Sequence, residues 1–122
     1  MANVRVKEIL HVNVEVTDVE RALAFYRLLG LEELVRLGTP GRAGAWLRIA
    51  DGCEVHLSLG PAKAPSRVHF AILVEDVEAA RAVFTAAGAP IESERDLPGM
   101  VRFFTRDPDG NRIEIVQEVA ES

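Results

Sequence analysis

Cysteine is almost absent: Cys53 stands alone among 122 residues. A single thiol cannot close an internal disulfide, so a cystine framework is excluded and a reducing compartment is expected. Long hydrophobic runs are missing too. The densest, residues 70–74, falls far short of the roughly 20 residues a membrane helix requires. No apolar stretch follows residues 1–8, so a soluble, cytoplasmic protein without a membrane partner is expected. Nor does basic charge predominate. The 14 Lys and Arg residues against 19 Asp and Glu give a net charge of -5, without a block of one sign. A phosphate backbone demands a positive field, which argues against nucleic acid as a partner. What the chain has in quantity is apolar side chains, 48% of its residues. That is enough for one well-buried domain, at a length too short for two ordinary ones.

The chain says nearly the same thing twice. Leu10-His-Val-Asn-Val-Glu-Val-Thr-Asp-Val-Glu20 returns as Val68-His-Phe-Ala-Ile-Leu-Val-Glu-Asp-Val-Glu78. His11 and His69 lie 58 residues apart, and the same offset carries Gly30 onto Gly88, Asp51-Gly52 onto Asp109-Gly110, and His56 onto Glu114. This is a tandem duplication. It makes a single domain over residues 1–122 from module 1 (8–60) and module 2 (67–118), which must share one core.

Residues 9–16 alternate, with Leu10, Val12, Val14 and Val16 on one face and His11, Asn13 and Glu15 on the other, the period of a half-buried strand. The period then lengthens. Val19, Ala22, Leu23, Tyr26 and Leu29 form a helical stripe that Thr17 or Asp18 can cap and Gly30 ends. Strand signals return over 31–37, followed by a Gly/Pro-rich turn at 38–41 and strands over 45–50 and 54–59 joined at Asp51-Gly52. Gly60-Pro-Ala-Lys-Ala-Pro-Ser66 reads as a linker. The second copy repeats the order. It has a strand over 68–74, an Ala-rich helix over 77–87 between Asp76 and Gly88, a short strand over 91–95, and strands over 101–105 and 112–117. Between the last two lies Asp107-Pro-Asp-Gly110, whose carboxylates are explained by turn chemistry and receive no catalytic role. The fold class is therefore α+β: two tandem β-α-β-β-β modules, each a four-stranded sheet with a helix on its apolar face.

A helix resting on Val12, Val14, Val55, Leu57, Phe70, Ile72, Ile113 and Ile115 sends His11, His56, His69 and Glu114 to the opposite face. These are all three histidines of the chain and one carboxylate, at repeat-matched positions. Trp46, Arg48, Met100, Arg102 and Phe104 join them there as candidate substrate-binding residues. Neutral imidazoles with a carboxylate suit a divalent Zn, Ni, Fe, Mn or Co ion with room for water or substrate. Such an ion can polarise a carbonyl, hold an enediolate or activate its own water. Arg48 and Arg102 are either solvated or grip a carboxylate or phosphate. Trp46 and Phe104 either plug the hollow of the sheet or stack on a ligand. Cys53, beside a turn with no basic neighbour evident, reads as inert.

The Leu10-His11-Val12 opening, Ala24-Phe25-Tyr26, Leu29-Gly30-Leu31 and the closing Asp107-Pro-Asp-Gly-Asn-Arg-Ile-Glu114 complete a pattern that resembles the vicinal oxygen chelate superfamily over the whole chain. That superfamily includes glyoxalase I, methylmalonyl-CoA epimerase, extradiol dioxygenases, fosfomycin-resistance enzymes and bleomycin-binding proteins. The resemblance implies the glyoxalase/dioxygenase fold, with curved sheets and a concave metal-binding face. It puts the metal ligands on the first strand of each module (His11, His69) and the last (His56, Glu114). Glyoxalase I has an acid at the position of His56 and the epimerase an amide, while Glu54 lies two residues earlier on the same face; the fourth ligand is thus His56 or Glu54. In two-His, one-carboxylate members only His11, His69 and Glu114 would bind. Related small members often build the site from two subunits, so a homodimer is implied, with the site either within one chain or shared across the pair.

The leading expectation is a divalent-metal-dependent enzyme of the glyoxalase type. It would act on a small oxygenated substrate by metal chelation and an enolate-like intermediate, with Glu114 or Glu54 moving a proton in lyase or isomerase chemistry. Two alternatives stand beside it. One is an Fe(II)-dependent ring-cleavage-type oxygenase on His11, His69 and Glu114. The other is a non-catalytic drug- or ligand-binding resistance protein with a hydrophobic molecule between Trp46 and Phe104.

Overall fold

A computed structural model describes residues 3–34, 44–50 and 52–120. Module 1 comprises β1 (His11–Val16), α1 (Val19–Tyr26), β2 (Glu32–Leu34), β3 (Ala45–Ala50) and β4 (Cys53–Leu59). Module 2 repeats it with β5 (His69–Leu73), α2 (Val77–Ala86), β6 (Ile91–Glu92), β7 (Met100–Arg106) and β8 (Arg112–Glu118). The two sheets run β1-β4-β3-β2 and β5-β8-β7-β6. In each, the first and last strands of the module pair in parallel and the remaining neighbours are antiparallel. The expected turn at 38–41, and Asp51 of the first hairpin, lie outside the described residues.

Duplication is visible in the hydrogen-bond register. His11 faces Glu54 as His69 faces Arg112, Trp46 faces His56 as Phe104 faces Glu114, and Leu34 faces Trp46 as Glu92 faces Phe104. The helices start alike. Asp18 accepts from the Arg21 N–H at 3.1 Å, and Asp76 from those of Glu78 and Ala79 at 3.0 Å, caps that contribute about 1 kcal/mol each. In both modules the chain then leaves the helical path at a left-handed glycine, Gly30 with φ 71 and Gly88 with φ 78. A Cβ at either would meet nothing within 4 Å, so conformation rather than space calls for glycine.

The helix-facing side of each sheet supplies the core. Val14, Val55, Leu57, Ile113 and Ile115 are buried, and Val12, Phe70 and Ile72 pack against them. Three expected strands are shorter than their patterns, β5 by one residue at each end. β1 begins at His11 rather than residue 9, leaving Leu10 64% exposed, because alternation tells which way a side chain points and not whether anything covers it. β6 ends at Glu92 instead of 95. Past it, Asp96 accepts from the Arg102 N–H at 3.3 Å, a side-chain bond that takes the place of a ladder bond.

The modules meet through their helices and through the Asp107–Gly110 turn. Phe25 and Phe84 touch with ring centroids 5.4 Å apart. Asp107, 4% exposed, accepts at Oδ1 from the N–H groups of Asp109 and Asn111, each at 2.9 Å, which closes the turn. Its Oδ2 accepts from the Tyr26 hydroxyl of the other module at 2.8 Å and from Asn111 Nδ2 at 2.9 Å. Asn111 Nδ2 also donates to the Glu15 carbonyl at 2.9 Å, and Thr17 donates to Asp109 Oδ1 at 2.6 Å. The turn that the sequence explains locally is thus also the joint between the copies.

Burial first, then the Asp107 carboxylate, push the Tyr26 phenol far above its ordinary value. With the folded value above the unfolded one, the stability contributed is complete below about pH 10, where an unfolded phenol still holds its proton. It is lost as the pH climbs further. Tyr26 is the only tyrosine, so an absorbance titration should show no phenolate at pH values that ionise a free phenol until the chain unfolds. Tyr26→Phe should cost about 1.5–3 kcal/mol in urea unfolding at neutral pH, the range for a hydrogen bond to a charged group. A loss of a few tenths would place the joint elsewhere.

Candidate metal centre

In module 1 three rings form a column. Trp46 and His56, neighbours across β3 and β4, stack with centroids 4.3 Å apart and planes 8° apart. His11 stacks on His56 at 3.9 Å and 13°. Nε2 of His56 lies 2.8 Å from Glu54 Oε1. A carboxylate only accepts, so the proton sits on Nε2 and the lone pair of the neutral ring on Nδ1. Arg48 reaches Glu32 at 3.5 Å with both side chains at least half exposed, a weak pair. His11, Arg48, Cys53 and Glu54 line a cleft of about 360 Å³.

Module 2 is built differently on the same register. Nδ1 of His69 is 2.9 Å from the Arg67 carbonyl and Nε2 is 3.1 Å from Glu114 Oε1. Glu114, 12% exposed at its side chain, also accepts from Arg102 Nη1 at Oε2, 3.0 Å away. Arg102 in turn donates from Nε and Nη2 to the Arg95 carbonyl at 3.2 and 3.0 Å. Phe104 is 2% exposed and meets His69 edge-on, centroids 5.0 Å apart. The Arg112 guanidinium covers its ring at 3.6 Å. Arg112, with 4% of its side chain exposed, is held by Glu92 and Glu94 at 3.1 Å each, and Arg106 donates to Glu92 at 2.6 Å. The hydrogen bond from Arg106, helped by that from Arg112, holds the Glu92 carboxyl below its ordinary value.

Each predicted ligand therefore meets its partner within its own module: His11 with His56 and Glu54, and His69 with Glu114. Among the described residues of one chain, no three His, Cys, Asp or Glu side chains converge on a point that could hold a metal. Trp46 stands in the first group, and Arg102 and Phe104 in the second. Arg48 sits at the rim of the first. Met100, paired with Glu118 at the start of β7, lies roughly 13 Å along the strand from Phe104. The sequence reading passed over Arg112, Arg106, Glu92 and Glu94. The signal was available: Arg112 precedes Glu114 by two residues and therefore shares its face, and the repeat sets it opposite Glu54.

Residues 8–115 match the family model of the Glyoxalase/Bleomycin resistance protein/Dioxygenase superfamily. No curated protein matches the chain. Among solved structures, a glyoxalase family protein from Bacillus anthracis is 27% identical with a TM-score of 0.84, over 97% of this chain and 100% of that one. TnmS3, an antibiotic binding protein from Streptomyces sp. CB03234, is 25% identical with a TM-score of 0.73, over 96% and 100%. A lactoylglutathione lyase from Agrobacterium tumefaciens is similar in fold, 24% identical with a TM-score of 0.70, over 90% and 92%. With its paired β-α-β-β-β modules and a match across both, the chain belongs to the glyoxalase/bleomycin resistance protein/dioxygenase superfamily.

Proposed function

We propose that the chain is a divalent-metal-dependent enzyme of the glyoxalase type whose metal centre is shared between two copies. The observation that carries this reading is the orientation of His69. A backbone carbonyl only accepts, so the bond to Arg67 puts the ring proton on Nδ1. Nε2 of His69 lies 3.1 Å from Glu114 Oε1, a contact that holds a proton between the two atoms until a metal ion displaces it. An imidazole nitrogen and a carboxylate oxygen side by side in a partly buried site are the donor set of a cation, so these residues fit a divalent ion. When bound, such an ion supplies Lewis-acid polarisation of neighbouring oxygens on a small substrate.

The module 1 pair supplies the other half in a second copy. Among the described residues no hydrogen bond claims a ring nitrogen of His11, which makes His11 the readier ligand. His56, whose Nε2 proton goes to Glu54, has only Nδ1 to offer. The ligand set is then His11, His69 and Glu114, with His56 as the fourth. Glu54 is the better proton carrier of the two carboxylates. Its side chain is 35% exposed and bonded to one imidazole, whereas both oxygens of Glu114 are engaged. Arg48 lines the cleft beside His11 and Glu54, the space this reading leaves for substrate. This reading favours lyase or isomerase chemistry on a substrate with adjacent oxygens.

A second reading has its own support. The near-parallel column of Trp46, His56 and His11 gathers aromatic rings of the kind a drug-like molecule packs against, and TnmS3, similar at 25% identity, is an antibiotic binding protein. On that reading the protein sequesters its ligand and needs no metal.

Purified protein should take up Zn, Ni or Co with one ion per chain by calorimetry. His69→Ala and Glu114→Ala should each weaken that uptake by more than about a hundredfold, beyond the 10–100-fold typical of outer partners. Mixing the His11→Ala and Glu114→Ala variants should restore metal binding that neither has alone, because mixed pairs rebuild one intact site. Uptake unchanged in both single variants would refute the assignment. The metal-loaded protein is expected to turn over a hemithioacetal, with Glu54→Gln lowering kcat by about 10²–10⁴ as loss of a proton carrier does. Ligand capture without metal would instead support the sequestering role.

A further inference from the structure

We infer that Arg102 is a positioning residue for Glu114: it reserves Oε2, so the carboxylate presents a metal ion with Oε1 alone, beside Nε2 of His69. The inference rests on the metal reading above and adds to it how one ligand is aimed.

The guanidinium is held independently of the carboxylate it serves. Nε and Nη2 donate to the Arg95 carbonyl at 3.2 and 3.0 Å, the backbone N–H is bonded to Asp96 Oδ1 at 3.3 Å, and the group lies 5.4 Å from the centre of the Phe104 ring. Nη1 is thereby directed at Glu114 Oε2, 3.0 Å away, with only 17% and 12% of the two side chains exposed. A charge-assisted bond in such surroundings is strong, and a carboxylate that chelated through both oxygens would have to give it up. One oxygen given to the metal leaves a further position for a substrate oxygen.

The duplication supplies an internal comparison. Arg102 aligns with Gly44 at the same 58-residue offset that aligns Glu114 with His56. Where the ligand is an imidazole with one lone pair to aim, there is no side chain at the matching position. Where it is a carboxylate with two competing oxygens, there is a guanidinium.

Co(II) added to the purified protein and to Arg102→Met and Arg102→Lys tests this through the visible d–d bands. In Arg102→Met both Glu114 oxygens are released. The bands should weaken and shift as the coordination number rises, and Co(II) should bind about 10–100-fold more weakly, the usual cost of losing an outer partner. A lysine ammonium keeps the charge but lacks the planar fork that meets Oε2 and the Arg95 carbonyl in fixed geometry, so Arg102→Lys should shift the bands in the same direction by less. Wild-type bands in both variants would overturn the inference while leaving the metal centre standing. Should Arg102→Met fail to fold, the lysine variant decides by the same criterion. A wild-type protein that binds no Co(II) would overturn both readings together.

Discussion

The buried carboxylate of Asp107 is the constraint on which the arrangement of the two copies depends. One oxygen closes its own turn and the other takes the hydroxyl of Tyr26 from the opposite module. A charge with 4% exposure is tolerated because four donors are spent on it. Each module is a four-stranded sheet with a single helix, too small to bury its apolar face well alone. The aromatic contact of Phe25 with Phe84 supplies the missing apolar cover, and the Asp107 joint fixes how the halves sit against it. Because the helices face each other at this junction, each module's polar face is left available to something else.

Those polar faces have diverged on a common register. In module 1 the imidazole of His56 sits between two rings and leans on Glu54. At the matching positions of module 2, Glu114 replaces the imidazole and Arg112 replaces the acid. The exchange is electrostatically consistent. A neutral ring can be held by aromatic faces and one acceptor, whereas a carboxylate set among buried groups needs cations. Arg102 meets Glu114 directly, and Arg112, itself neutralised by Glu92 and Glu94, caps the phenyl ring that supports His69. Phe104, a candidate for stacking on a ligand in the sequence, spends a ring face on Arg112.

Much of this was legible in the residues. The 58-residue offset, the period changes at Asp18 and Asp76 and the paired glycines yield two β-α-β-β-β units, and the structure has them in that order. Strand parity separated the core side from the polar side, since alternation leaves a strand residue no third choice. Element ends were less legible. Leu10 continues an apolar pattern into a place with no covering layer, and past Glu92 the Glu94 carboxylate accepts from Arg112 and the Arg95 carbonyl from Arg102.

The sequence by itself determined the repeat, the order of elements and the face on which every imidazole stands, because these follow from periodicity along one chain. Only the tertiary structure decided which partners those groups find: His11 with His56, His69 with Glu114, Arg102 on the second oxygen of that acid, and Asp107 under Tyr26. Such pairings join positions up to 81 residues apart. They depend on how sheets pack and side chains rotate, and no local pattern encodes that.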